Sequence, residues 1–488
     1  MNIFQKRPEK SFQTCSANSG TAPRKHPSST RRNRWERRQS LRRSILSGAS
    51  WGMAGRALGM ALGLAANVLL ARLLPPAALG NYVLAASLAG ISQTFAQMGL
   101  QFGVVRMIAE AVGQGSAGRA RAVAGWTLKL LALSTIVVAL LIMSPLGRAI
   151  VAAASGSPEL SKSVGLVAVL MVSLSFEYTI GETFRGLRVF SLATICGSGL
   201  SAILATTAFA FLEAVDGRAM FPSAIVVLAG SSFVAASLGL LLLSRRLPPR
   251  SQDRTTATAR EVLAVSWPFY ANSVALILLR NTDVWALSAA RGSTAVAIYL
   301  VASRIANNAV TAPMVMMNSV VPPVIAELYA RGEKERLERV LRVTATAAAL
   351  LSALVLAALV LGGGPLLGLL FGDFYRQAYQ PLVILAVGNL LGVAAGSCGF
   401  TLGMTGQQKA LLWTSLLAGV VSATAAVVGA RVAGANGAAF AFSLGNVLQN
   451  GLQVLLVRRR VGVRTQASFA LTIREGGRIF RAWRSGRL

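Results

Sequence analysis

Apolar runs of membrane-crossing length alternate with short basic or polar breaks along most of the chain. A helix needs about 20 mostly apolar residues to cross the hydrocarbon core of a bilayer. Twelve segments meet that measure, near residues 47–70, 80–103, 123–144, 164–185, 190–211, 222–244, 264–289, 295–321, 341–361, 379–402, 409–431 and 436–457. Segments 164–185 and 264–289 carry charged residues, and 379–402 is rich in glycine. Gly55, Gly59 and Gly63 recur every four residues on one face of the first segment. That spacing lets helices approach closely in lipid and speaks of packing.

The pattern predicts an all-α polytopic membrane protein of about 12 transmembrane helices. The longest basic connection between segments, Arg245 to Ala264, contains Pro248-Pro249 and divides them six and six. With an even number per half, both halves enter the membrane in the same sense, as two six-helix lobes related by a parallel pseudo-repeat. The expected organisation is a disordered basic cytoplasmic tail at 1–45, an N-terminal lobe at 46–244 and a cytoplasmic linker at 245–263. A C-terminal lobe at 264–457 and a basic cytoplasmic tail at 458–488 follow. The connections on the other side are short, which leaves no extramembrane domain large enough to host an active site.

Composition first looks contradictory. The chain is 54% hydrophobic and 13% charged, about half the usual charged content of a soluble protein, yet its formal net charge is +31. Sorting the 48 Lys and Arg residues resolves this: 37 fall on the side of the two tails, 7 on the opposite side and 4 within segments. Cytoplasmic loops carry the excess of basic residues in membrane proteins, so both ends are predicted to be cytoplasmic. The charge sets topology and touches anionic membrane lipid; it does not mark a nucleic-acid partner. The start of the chain lacks the short apolar core of a signal peptide, since its first apolar segment runs for a full span.

Cys15, Cys196 and Cys398 are odd in number and widely spaced, and His26 is the sole histidine. A disulfide framework, a thiolate cluster, a multi-His metal site and a histidine-based catalytic dyad are therefore excluded, and no cofactor is expected.

Ionisable groups inside a membrane are costly and usually face a protein interior or a wet cavity. Arg56, Lys129, Glu177, Glu182, Arg280, Asp283 and Arg304 are the candidates. Lys129 is close enough to the cytoplasmic surface to snorkel. Glu182 and Arg185 are spaced for a local ion pair. Glu177 lies deeper, has no partner near it in sequence, and is a candidate for a functional or proton-binding carboxylate. Arg280 and Asp283 have pair spacing too; they form either a structural pair or a switch in which Asp283 changes partner or takes up a proton. Arg56 and Arg304 have no acidic neighbour in sequence. They point to a basic, hydrated cavity between the halves, with pairing to Glu177 or Glu182 as the competing possibility. Asn67, Gln93, Gln97, Asn272, Asn318, Asn389, Asn446, Gln449 and Asn450 also lie within segments, where each taken singly reads as a tie between helices.

The stretch 68–110, VLLARLLPPAALGNYVLAASLAGISQTFAQMGLQFGVVRMIAE, resembles the opening of the polysaccharide-transport flippases of the multidrug/oligosaccharidyl-lipid/polysaccharide (MOP) exporter superfamily. Leu70-Ala71-Arg72, Leu74-Pro75, Gly80 and Tyr82 match its first hairpin, and Gly99 and Arg106 match the end of its second helix. Asp283 with Tyr299, Ala302 and Arg304 resembles a second family motif, in which Ala297 replaces a glycine. Pro322-Pro323 with Ala326 and Leu328, LLFGDFYRQAYQPLVIL (369–385) and GANGAAFAF (434–442) extend the likeness.

The resemblance implies a non-enzymatic transporter of the bacterial inner membrane. It would move undecaprenyl-pyrophosphate-linked oligosaccharide to the outer leaflet by alternating access, for exopolysaccharide, capsule or O-antigen assembly. Arg56, Arg304 and Arg280 would then hold the pyrophosphate, and Asp283, Glu177 or Glu182 would couple to an ion or gate the path. Partners would be the lipid-linked oligosaccharide, membrane lipids and other polysaccharide-assembly membrane proteins. The alternatives are a multidrug or cation antiporter of the same superfamily, a membrane-embedded glycan polymerase or ligase, and a non-transporting scaffold.

Overall fold

The computed structural model describes residues 59–468, apart from 60, 115, 188, 216–219, 248–256 and 319–320. Every regular element among them is helical. In chain order they are α1 (Ala61–Leu73), α2 (Pro76–Gln97), α3 (Leu100–Gly113), α4 (Ala117–Met143), α5 (Pro145–Ser155), α6 (Pro158–Lys162), α7 (Val164–Gly186) and α8 (Phe190–Val215). Then follow α9 (Phe221–Arg246), α10 (Ala259–Ile305), α11 (Val321–Ala330), α12 (Lys334–Phe371), α13 (Tyr379–Ala394), α14 (Cys398–Met404) and α15 (Gln408–Leu456). The α10 chain continues helically to Met317.

Eight helices are long and apolar enough to cross a membrane, or nine when α2 and α3, bent by 46°, are taken as one broken span. Length alone undercounts the crossings, because α10 and α15 double back. Within α10 the Tyr299 hydroxyl donates to Asp283 Oδ2 at 2.5 Å, 16 residues away. A straight helix would hold those positions about 24 Å apart. Gly292, at φ 78°, makes the reversal in a conformation that a side chain disfavours. Within α15, Ser422 Oγ donates to the Ala441 carbonyl at 3.0 Å across a turn at Gly434, φ 55°. Both are helical hairpins.

The outward faces of these helices are apolar. Leu140, Phe211, Leu354, Leu361, Trp413 and Val432 are all exposed. Only 17% of the most apolar window of α15 is buried within the protein. Apolar surface on this scale requires a hydrocarbon solvent, and the chain is a multi-pass membrane protein.

Contacts between connections sort them into two ends. Arg72 donates to the Leu369 and Leu370 carbonyls at 2.8 and 2.9 Å, Arg291 to the Arg431 carbonyl, and Asn436 to Gln380. At the other end Arg119 pairs with Glu261, Arg460 donates to Gln407, and the Arg464 amide donates to Glu338. Each contact joins segments predicted to lie on the same side of the membrane.

The largest apolar core lies toward the first of these ends and draws on both halves of the chain, with Leu73, Leu79 and Phe209 packed among residues such as Leu287, Phe371 and Leu385. Toward the basic end, Val262 on the first turns of α10 packs into a separate core with Leu100, Val104 and Ile108 of α3.

Candidate functional site

Three adjoining chambers run between the helices. The first, about 560 Å³, lies between the halves: Asn67, Tyr82, Ser87 and Thr206 face Asp283, Tyr299, Arg304 and Asn307 across it. The second, about 430 Å³, shares Asp283, Asn307 and Phe442 with the first. The third, about 680 Å³, shares Thr311, Phe442 and Asn446 with the second and reaches Asn318, Met404 and Leu411 toward the basic end.

Arg304 is the cation among the described residues of the first chamber. The second arm of α10 carries it 12 residues beyond Gly292, and it is exposed to the cavity. No hydrogen bond or ion pair joins it to a described residue. Pairing with Glu177 or Glu182 is ruled out by what those groups do instead. Glu177 is buried and accepts from Ser201 Oγ, while Glu182 pairs with Arg185 as the local spacing indicated. Neither is among the residues lining the three chambers.

Asp283 lies on the opposite arm of the same hairpin. It is buried, and takes the Tyr299 hydroxyl on Oδ2 and the Val284 amide, at 2.9 Å, on Oδ1. The hairpin thus brings Asp283 and Arg304 into one chamber without an ion pair between them. On either side of Asp283 in sequence, Asn281 accepts from Ser87 at 2.8 Å and the Trp285 indole N–H donates to Ser87 at 2.9 Å, which ties α2 to α10 across the halves. Arg56 and the Arg280 side chain lie outside the described residues.

Amides dominate the rest of the lining. Asn389 Nδ2 donates to Asn307 Oδ1 at 2.8 Å, Asn450 Nδ2 to Asn446 Oδ1 at 2.8 Å, and Gln449 Nε2 to Ser415 at 3.0 Å. Taken one at a time these amides read as helix ties, and they do tie helices. Their convergence on one cavity, and the place of Phe442 in the lining of all three chambers, lay beyond that reading. A signal was present: Asn446, Gln449, Asn450 and Gln453 are spaced i, i+3, i+4 and i+7, a polar stripe down one face of an apolar helix.

The chain matches the family model described as "Polysaccharide biosynthesis protein" over residues 45–329, more than half its length. It belongs to that family. No curated protein matches it in sequence. Its fold is shared with an inward-facing multidrug resistance MATE family transporter of the MOP superfamily (TM-score 0.69, 16% identity, covering 83% of this chain and 94% of the other). The lipid II flippase MurJ in an inward closed conformation also shares it (0.62, 13%, 83% and 87%). A third is a MOP superfamily transporter from Pyrococcus furiosus titled for the reverse polarity of its binding pocket (0.60, 16%, 86% and 95%).

The motif residues of this polysaccharide-family chain have clear structural work. Arg72 fastens the end of α1 to the end of α12. Gly80 lies so close to the Ser293 carbonyl that a Cβ there would sit 1.8 Å from its oxygen. Tyr299 holds Asp283, Tyr375 packs against Phe371 and Phe374, and Gly434 turns the α15 hairpin. Except for Tyr299, these residues join elements at the end opposite the basic one.

Proposed function

We propose that the chain carries a lipid-linked oligosaccharide, with a pyrophosphate linkage of the undecaprenyl type, from the inner to the outer leaflet of the bacterial inner membrane by alternating access. The product would supply exopolysaccharide, capsule or O-antigen assembly. The observation that supports this most directly is Arg304, an exposed guanidinium without an ion partner among the described residues, in a chamber between the two halves. A planar fork that keeps its charge suits a phosphate oxyanion. The sole carboxylate among the described residues of that chamber, Asp283, is already engaged by Tyr299, so the cavity is poorly suited to a cationic drug.

In this reading twelve spans place both termini and the basic end in the cytoplasm. The chambers open toward that end, and the opposite end is shut by Arg72, Gly80 and the Ser288 bond to the Ser155 carbonyl at 2.6 Å. Arg56 and Arg280 join Arg304 as the anion set. Asp283 is the coupling or gating carboxyl nearest the substrate, and Glu177 and Glu182 gate from within the first half. Membrane lipids and other polysaccharide-assembly proteins are the expected partners.

The test replaces Arg304 by Gln and follows both surface glycan and lipid-linked precursor in cells. Loss of glycan with precursor held on the inner leaflet supports the proposal. Unchanged export contradicts it and favours the cation antiporter instead. Translocated but unpolymerised units would indicate a polymerase.

A further inference from the structure

The second and third chambers differ in chemistry from the first. Among the described residues, no Lys or Arg lines either of them; Asp283, at the upper edge of the second, is the one titratable group in their described lining, and that of the third has none. Their polar lining is amide and hydroxyl, and the ties that hold those groups also aim them. Asn307 accepts from Asn389 through Oδ1, and its Nδ2 has no partner among the described residues. Gln449 spends Nε2 on Ser415, and its Oε1 has no such partner. Asn446 uses one N–H on the Gly388 carbonyl at 3.3 Å and keeps the other. A carboxamide offers donors and an acceptor in one plane, which matches a sugar hydroxyl that both gives and takes a hydrogen bond. Phe442 lines all three chambers and is the aromatic wall they share.

We propose that the second and third chambers form a subsite for uncharged sugar units, hexose or N-acetylhexosamine, with Phe442 as the platform on which a ring stacks and with Asn307, Asn446 and Gln449 bonding its hydroxyls. This rests on the reading that a lipid-linked glycan is the cargo, and adds which part of the cargo goes where and which sugars are refused. Arg304, Asn307, Thr311 and Asn318 follow one another down one arm of α10, a length of about 21 Å at the helical rise. A phosphate at Arg304 therefore leaves room for several rings below it. A uronic or sialic acid would bring a carboxylate into a space with no cation among its described lining residues and with Asp283 at its edge. Burying an unpaired charge is unfavourable, so acidic sugars are selected against.

The experiment measures binding to the full-length protein in lipid nanodiscs. The probes are citronellyl pyrophosphate, the same lipid bearing N,N′-diacetylchitobiose, the same lipid bearing a glucuronic-acid disaccharide, and free methyl chitobioside. The neutral conjugate is expected to bind about tenfold more tightly than the bare pyrophosphate, the scale of one well-packed aromatic contact with its hydrogen bonds. The glucuronate conjugate should gain nothing. Phe442→Leu and Asn446→Leu should bring the ratio of neutral conjugate to bare lipid close to one, and Phe442→Trp should keep it. Equal binding of the glucuronate and neutral conjugates, or a ratio unmoved by Phe442→Leu, would overturn the subsite. The bare lipid judges the other reading by itself: if Arg304→Gln leaves its binding unchanged, the pyrophosphate assignment fails. Free methyl chitobioside still reports on the sugar subsite in that case, and its failure to bind counts against the subsite.

Discussion

Arg304 and Asp283 show how one hairpin sets two charges to different tasks. Arg304 faces the cavity with no partner for its donors among the described residues, whereas Asp283 is buried and held from two sides. Charge-assisted hydrogen bonds contribute about 1.5–3 kcal/mol, so Arg304→Gln should weaken pyrophosphate binding by roughly 10- to 150-fold. Arg304→Lys should recover part of that, because an ammonium keeps the charge and loses the two-pronged geometry; titration with citronellyl pyrophosphate checks both. Tyr299→Phe removes the donor to a buried carboxyl and should cost about 1–3 kcal/mol, visible as a lower melting temperature in detergent. The sequence exposed Arg304 and Asp283 because charges are rare among apolar residues. It could not pair Tyr299 with Asp283, since their 16-residue separation becomes a contact only after Gly292 reverses the chain. Glu182 was legible for the opposite reason: its partner Arg185 is one turn away.

At the scale of elements, close backbone approach decides where helices can meet. A Cβ on Gly80 would collide with the Ser293 carbonyl carbon and oxygen, backbone atoms that cannot swing aside. Gly80→Val should therefore part α2 from the second arm of α10 and lower the melting temperature markedly. Gly125→Ala, in the interior of α4 with nothing within 4 Å of the added atom, should be neutral or stabilise by about 0.5–1 kcal/mol. Equal effects of the two would contradict the packing described. The apolar runs marked most of the helices, although the segment 80–103 breaks at Met98–Gly99 and 379–402 at Gly396, and the turns near 292 and 434 fall in the gaps between predicted segments. What stayed hidden was the sharing of one cavity by amides from α10, α13 and α15. Each stripe is visible on its own helix, but convergence depends on how the helices are rotated, and for α13 and α15 that is fixed by packing around Gly388, Gly392 and Gly445.

For the whole molecule, the contacts sort the connections into two ends, and the proposal orients them. A membrane-impermeant thiol reagent on intact spheroplasts should label Arg376→Cys and Lys162→Cys, and should reach Lys409→Cys and Lys334→Cys only after permeabilisation. The reverse pattern would invert the topology and, with it, the direction in which the chambers open. The fold is that of MOP-superfamily transporters, and the family ties it to polysaccharide biosynthesis; the cargo is the central claim. Proteoliposomes carrying a pyrophosphate-linked chitobiose lipid test it most directly, through the share of sugar headgroups that an external lectin can reach over time. The protein should let nearly all headgroups become accessible, while empty liposomes hold at the outer-leaflet share and Arg304→Gln slows the change at least tenfold, the lower bound of one lost charge-assisted bond. Accessibility that matches empty liposomes, or a rate indifferent to Arg304, would contradict the account.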